Sequence, residues 1–190
     1  MKKIKELYLS SMGELLSPRN LALLGLLGAL SIVLSMVASI DAGPYVRIGF
    51  SSLPNRIAEC LFGPFIGCIF GGVMDVLKFI VRPSGPFFFG FTFDAMLAGL
   101  LYGSLLYKKP VTIPRVFAAE LLAKTIVNCG FNTLWISMLY GRGFLVLLPM
   151  RLLKNLVMLP IDTLISFFTL TAAVRLLSHL HLRESRPQAE

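Results

Sequence analysis

Charged residues, cysteine and histidine are scarce in this chain of 190 residues, and their scarcity excludes several kinds of protein. Charged residues make up 15% of the sequence and hydrophobic residues 56%, which leaves too little polar surface for a soluble domain of this length. The three cysteines lie in apolar segments without a CxxC motif, and both histidines follow the last apolar segment. The pattern therefore predicts no metal site, no disulfide framework and no bound cofactor.

Common catalytic motifs are absent as well. The sequence contains no GxxxxGK[ST] phosphate loop, no HExxH pair and no GxSxG turn. The chain is therefore not expected to hydrolyse ATP through a phosphate loop. Any energy that the function of the chain requires is expected to come from partner proteins or from an ion gradient.

Long apolar runs fill most of the sequence and predict an all-α integral membrane protein with six transmembrane helices. One membrane domain is expected, with a polar segment 1–19, a helix bundle 20–177 and a tail 178–190. Gly63-Pro64, between the second and third helices, permits a turn or a kink. The predicted helices are Leu21 to Ile40, Ile48 to Phe62, Phe65 to Val81, Phe88 to Leu106, Arg115 to Leu139 and Leu145 to Leu177.

Lys and Arg are distributed unevenly between the two sides of these helices. Only Arg47, Arg82 and Arg142 lie in the connections on one side, and both tails are on the other. Because basic connections stay in the cytoplasm, both termini are predicted to be cytoplasmic. The net charge of +8 then reflects this bias and contact with anionic lipid, and no nucleic acid partner is expected. The more basic side carries Lys2, Lys3, Lys5, Arg19, Lys108, Lys109, Arg115, Arg175, Arg183 and Arg186.

Several charged side chains lie within the predicted helices, where each costs at least a few kcal/mol and therefore marks a site or a pathway. The third helix carries charges at i, i+3 and i+7, which share one face. Polar stripes on the fifth and sixth helices and one acid on the fourth also reach the outer leaflet. Together they predict a ligand site formed by Asp75, Lys78, Arg82, Asp94, Lys124, Asn128, Asn132, Trp135, Arg151, Lys154 and Asn155.

Structural roles compete with this interpretation at some positions. Asp75 and Lys78 also fit an intrahelical ion pair, and Asp162 also fits a partner for a cation of its own helix. Arg56 and Glu59 lie deeper and also fit a mutual pair. The concentration of charge in one half of the membrane nevertheless favours a binding site.

Three further features have simple alternatives. Glu120 falls near the inner surface and is expected to be solvated. Trp135 and Tyr140 also fit the aromatic belt at a membrane interface. The phenylalanines between Phe87 and Phe93 fit lipid contact or the mouth of the site.

The predicted site suits an anionic ligand that contains an aromatic ring. Its cations outnumber Asp75 and Asp94, which favours a carboxylate or a phosphate. The amides of Asn128 and Asn132 can both donate and accept hydrogen bonds at the edge of a heterocycle. The first helix offers a separate feature, because Gly25 and Ala29 belong to a small-xxx-small face. Such a face permits close packing within the bundle or against a partner.

Several segments resemble the substrate-binding (S) components of energy-coupling factor (ECF) vitamin transporters. Six short helices, a small-residue first helix and the run from Arg47 to Gly103 carry the resemblance, which extends from about Arg19 to Leu177. Five segments are similar to the folate-specific members of this family. They are RIGFSSLP at 47–54, LFGP at 61–64, GGVMD at 71–75, PSGP at 83–86 and GFT at 90–92.

The resemblance implies a subunit of a bacterial cell membrane that captures folate from outside and is not an enzyme. It implies that Gly25 and Ala29 dock on a transmembrane coupling subunit (EcfT), which carries two ATP-binding subunits (EcfA and EcfA'). The S component would then topple in the membrane to release the vitamin. Folate combines a pterin, an aminobenzoyl spacer and a glutamate with two carboxylates, which matches the predicted site. Loops Asp41 to Phe50 and Arg82 to Gly90 are expected to close over it.

Three alternatives stay open at this level. The same architecture can serve riboflavin, thiamine, biotin or pantothenate, although a thiamine site would favour acids over bases. A membrane-embedded enzyme acting on a lipid headgroup would use Asp75 and Lys78 as acid and base. In a purely structural subunit, the charged cluster would be a subunit interface.

Overall fold

The computed structural model describes residues 8, 10–13, 17–37, 39–41, 47–83, 85–141 and 143–179, with the backbone alone at 39–41, 47–49, 178 and 179. The predictions for Arg142, for most of both tails, and for parts of the two expected closing loops lie outside these residues. The extent of the single predicted domain, with its two tails, stays a prediction.

The described chain is almost entirely helical, as the apolar runs predict. Prolines occupy the first turn of four helices, where a missing amide hydrogen is tolerated because those amides have no partner within the helix. The elements are α1 (Pro18–Val37), β1 (Ser39–Asp41), β2 (Arg47–Gly49), a 3-10 turn (Phe50–Ser52), α2 (Leu53–Phe62), α3 (Pro64–Val81), α4 (Phe89–Leu106), α5 (Ile113–Leu122), a π-helical stretch (Ala123–Phe131), α6 (Asn132–Tyr140) and α7 (Phe144–His179).

The helices coincide with the six predicted segments except around the first connection. There β1 and β2 form a short antiparallel ribbon in which Ile40 pairs with Ile48, so the prediction of helix at these two residues is wrong. α2 begins only at Leu53. A longer α2 would place Pro54 in the helix interior, where it would remove a backbone hydrogen bond.

Four helices among the described residues are long and apolar enough to cross a membrane, namely α1, α3, α4 and α7. α2 has ten residues and carries Arg56 and Glu59. The continuous helix of α5, the π-helical stretch and α6 carries Glu120 and Lys124. Six transmembrane helices and cytoplasmic termini therefore stay predictions.

Gly63 resolves the predicted choice between a turn and a kink, because it makes a sharp corner between α2 and α3. Its φ of 90° lies in the left-handed region that favours glycine. The buried hydroxyl of Ser11 donates to the carbonyl of Phe62 at 2.6 Å and accepts from the amide of Ile66 at 3.3 Å. Tyr107, which is fully buried, packs against the same corner. The chain before α1 thus satisfies backbone groups that the corner leaves open.

Glycines bring α3 and α4 into direct backbone contact. A Cβ atom built on Gly99 would lie 2.1 Å from the carbonyl oxygen of Gly67, and one built on Gly71 would lie 2.5 Å from that of Ala95. Real side chains do not approach a backbone atom so closely. This contact fixes α4, which forms one wall of the cavity described below.

We expect Gly99→Ala to destabilise the protein, because neither backbone can retreat from the added methyl group. Overpacking of this kind costs about 1 to 3 kcal/mol. Gly25→Ala is the matched control, since no described atom lies within 4 Å of a Cβ at that position. Thermal unfolding in detergent measures both variants. Equal melting temperatures for Gly99→Ala and the wild type would contradict the close contact.

Candidate ligand-binding site

A cavity of about 390 Å³ lies between α2, α4, the continuous helix that contains the π-helical stretch, and α7. Its volume is within the range of small-molecule sites in proteins. Apolar lining comes from all of these helices and includes Ala98, Val127 and Met158. The polar lining consists of Ser52, Asn55, Arg56, Glu59, Tyr102, Glu120, Lys124, Asn128, Lys154, Asn155 and Asp162.

One side of the cavity is closed by a buried hydrogen-bond network centred on Glu120. Nη1 of Arg56 lies 2.7 Å from Oε1 of Glu120, and Nη2 lies 3.0 Å from Oε2. Oε2 also accepts from the hydroxyl of Tyr102 at 2.8 Å, and Oε1 accepts from that of Ser166 at 2.8 Å. The network joins α2, α4, α5 and α7. A buried carboxylate is stable here because donors from three other helices surround it.

This network corrects two predictions. Glu120 is fully buried rather than solvated. Arg56 pairs with Glu120 rather than with Glu59. Within the described part of the chain, Oε2 of the buried Glu59 has no hydrogen-bond partner. The prediction failed because depth along one helix does not reveal which neighbouring helix faces the residue.

A second ion pair crosses the cavity wall. Nζ of Lys124 lies 2.5 Å from Oδ2 of Asp162, so the π-helical stretch is bound to α7. Asp162 therefore pairs with a cation of another helix, contrary to the intrahelical alternative. Lys154 of α7 also lies on the cavity wall and is partly buried. The amide of Asn155 donates to Sγ of Cys129 at 3.2 Å. The cavity thus contains ammonium groups beside amides.

Four further predicted site residues form a polar cluster next to the cavity. Asp94 accepts hydrogen bonds from Nδ2 of Asn132 at 3.0 Å and from Nε1 of Trp135 at 3.1 Å. Oδ1 of Asn132 in turn accepts from Arg151 at 2.6 Å. The Trp135 ring also packs against Phe88, with ring centres 5.7 Å apart. These side chains are occupied with one another and connect α4, α6 and α7.

The charged face of α3 is divided between three neighbours. Asp75 accepts a hydrogen bond from Thr92 of α4 at 2.8 Å. Lys78 donates to the carbonyl of Ser51, and Arg82 donates to that of Ser35, each at 3.0 Å. The two cations therefore hold the 3-10 turn and α1, and the shared face predicted from their spacing does not bring all three charges to one place.

The predicted site is thus only partly assembled at the cavity. Its members on the wall are Lys124, Asn128, Lys154 and Asn155. Contact of any of the eleven predicted residues with a ligand stays a prediction.

Sequence reasoning did not assign the remaining polar wall residues to the site. Arg56 and Glu120 are a cation and an acid on two different predicted helices, and such groups need each other in a membrane. The need for such a pair is the sequence signal that could have identified Arg56 and Glu120. The polar wall residues that the sequence did not assign to the site are Ser52, Asn55, Arg56, Glu59, Tyr102, Glu120 and Asp162.

The predicted docking residues lie on the outer face of α1. Ala29 is exposed, and no described atom lies within 4 Å of a Cβ built on Gly25. Gly28 instead faces inward, where an added Cβ would lie 3.2 Å from Sδ of Met74 and 3.7 Å from Phe70. The glycines of α1 therefore divide into one that serves internal packing and one that faces outward.

Comparison with known proteins identifies the family. The family model of the substrate-specific component of ECF transporters matches residues 19–169. The folate transporter FolT of Clostridium novyi is 36% identical over 138 residues, which are 73% of this chain and 80% of the relative. FolT of Leuconostoc mesenteroides is 33% identical over 166 residues, with 84% and 88% covered.

The fold agrees with these sequence matches. A crystal structure of FolT bound with folic acid superposes with a TM-score of 0.74 at 32% sequence identity. The superposition covers 80% of this chain and 94% of that one. The chain therefore belongs to the family of substrate-specific components of ECF transporters.

Proposed function

We propose that the chain binds folate in the cavity between α2, α4 and α7 and serves as the S component of an ECF folate importer. The observation that carries the proposal is the shared fold with FolT in its folic acid complex, together with a cavity of suitable size. Membership of a substrate-binding family makes the chain a binding and transport subunit rather than an enzyme.

The chemistry of the wall supports this ligand. Lys124 and Lys154 offer ammonium groups to the glutamate carboxylates. Asn128 and Asn155 offer amides that can pair with the donor and acceptor edge of the pterin. Apolar side chains such as that of Met158 suit the aminobenzoyl spacer. The mixture of positive charge, amides and apolar surface fits folate better than a cationic vitamin such as thiamine.

The outward face of α1 supports the proposed docking on the transmembrane coupling subunit. Gly25 and Ala29 are open to another helix, and the small side chains permit close backbone approach. Two ATP-binding subunits on that partner would supply the energy. We place the protein in a bacterial cell membrane as a six-helix, multi-pass subunit with both termini in the cytoplasm.

The distribution of charge is also compatible with toppling. Arg56 and Glu120, like Lys124 and Asp162, neutralise each other inside the bundle. The surface instead carries large apolar side chains, such as Leu26 and Leu145. A body of this kind exposes few charges to lipid when it reorients, which lowers the cost of the movement.

Ligand identity is tested by titrating the purified subunit with folate in detergent. We expect one submicromolar site for folate and none for thiamine or riboflavin, because the wall offers cations and amides to an anionic heterocycle. Calorimetry gives the affinity and the number of sites together. Tight binding of another vitamin alone would contradict folate specificity, and the absence of all binding would contradict the proposed function.

The role of Lys124 is tested by Lys124→Ala, which should weaken folate binding at least about tenfold through loss of a charge-assisted hydrogen bond. This variant also leaves Asp162 without its partner, so we include Lys124→Ala/Asp162→Asn. The double variant should bind as weakly as the single variant if Lys124 contacts folate. Restored affinity would show that Lys124 serves only to neutralise Asp162. Lys108→Ala, remote from the cavity wall, is the control for loss of positive charge.

Docking is tested by Gly25→Trp, which should leave folate binding by the isolated subunit unchanged but abolish assembly with the coupling module and uptake into cells. The reason is that a large side chain would separate the two helix backbones. Leu145→Trp, at a 77% exposed position on α7, is the control. Normal uptake with Gly25→Trp would contradict docking through this face.

A further inference from the structure

We infer that Arg151 is a positioning residue, which fixes the register of the π-helical stretch so that Lys124 and Asn128 face the cavity. This inference rests on the proposed function and deepens it. It differs from the expectation drawn from sequence, in which Arg151 contacts the ligand itself.

Arg151 makes three contacts at the junction between the π-helical stretch and α6. Its Nη1 lies 3.2 Å from the carbonyl oxygen of Asn128, 2.6 Å from Oδ1 of Asn132 and 3.4 Å from Oγ1 of Thr133. All three partners are on the continuous helix, whereas Arg151 is on α7. One guanidinium therefore clamps the end of the π-helical stretch.

The junction has a specific need for such a donor. The amide of Asn132 donates to the carbonyl of Val127, five residues earlier, and the α-helical pattern that follows reaches back only four residues. Where the spacing of the backbone hydrogen bonds changes from five residues to four, the carbonyl of Asn128 is left without a backbone amide donor. In a membrane protein, a backbone carbonyl that lacks a donor is costly wherever water does not reach it. Arg151 supplies a donor to it, and so does the hydroxyl of Thr133 at 3.0 Å.

The register matters to the cavity because both Lys124 and Asn128 belong to the π-helical stretch. Because Asp94 and Arg151 hold Asn132 at the start of α6, a return to α-helical geometry would shift the residues before this junction by one position relative to it. Each residue of an α-helix turns by about 100°, so a shift of one position would turn a side chain far from its present direction. Because Arg151 donates to the carbonyl of Asn128, it stabilises the π geometry that turns Lys124 and Asn128 toward the cavity.

The fixed end is also connected to α4. Asn132, which accepts from Arg151, donates through Nδ2 to Asp94. Asp94 directly precedes Ala95, whose backbone contacts Gly71 of α3, and Ala95 and Ala98 lie on the cavity wall. Arg151 therefore links the two walls without itself lining the cavity among the described residues.

The experiment compares folate with folate dimethyl ester, in which both glutamate carboxylates are uncharged. We expect Arg151→Ala to raise the Kd of both ligands by the same factor, at least about tenfold, because the defect lies in the wall and not in a contact with a carboxylate. Calorimetry also gives the number of sites, which should stay at one per chain. A loss confined to folate would overturn the inference and assign Arg151 to the carboxylates.

Thr133→Val provides an independent arm, since the fully buried hydroxyl of Thr133 reaches the same carbonyl and carries no charge. We expect it to weaken both ligands equally, by about threefold or more, on the scale of one neutral hydrogen bond. Unchanged affinity would overturn the inference even if Arg151→Ala does not fold. A fall in the number of sites with an unchanged Kd would indicate misfolding alone and would also overturn it. Failure of the wild type to bind folate would instead refute the proposed function.

Discussion

The pairing of charges between different helices is the constraint on which the rest of this bundle depends. Arg56 and Glu120 come from α2 and α5, and Lys124 and Asp162 come from the π-helical stretch and α7. Within a membrane, either member of such a pair would be costly by itself. α2 has ten residues, and the continuous helix from α5 to α6 carries both Glu120 and Lys124. These polar segments are stable in the bundle because their charges are neutralised by opposite charges on neighbouring helices. The cavity lies where the segments meet.

α4 connects this polar half of the molecule with an apolar half. Gly99 presses against the backbone of α3, while Tyr102 reaches Glu120 in the buried network. The same helix carries Asp94, which accepts hydrogen bonds from Asn132 and Trp135. A shift of α4 would therefore disturb the contact with α3, the closed side of the cavity and the junction of the π-helical stretch together. The position of the cavity is thus set by one helix that is held by α3, α5 and α6.

Much of this arrangement is readable from sequence, and the exceptions have physical causes. Apolar runs place the helices, and the polar stripe on the continuous helix selects Lys124 and Asn128, which do line the cavity. Periodicity within a helix gives the face of a residue but not the neighbour that this face meets. For that reason Lys78 was expected in the site, although it reaches the carbonyl of Ser51. The π-helical stretch was also missed, because a spacing of about four residues lies between the α-helical and π-helical periods.

The corner at Gly63 has a consequence for the order of biosynthesis. Ser11 bonds to Phe62, which follows it by 51 residues, and Ser10 bonds to Tyr107, which follows it by 97. The ribosome completes α1, α2 and α3 before Tyr107 exists, so the first segment of the chain leaves the ribosome long before its binding place is formed. Its contact with Tyr107 can form only after α4 has been made. A segment that is synthesised before α1 thus completes its native contacts only after four helices have followed it.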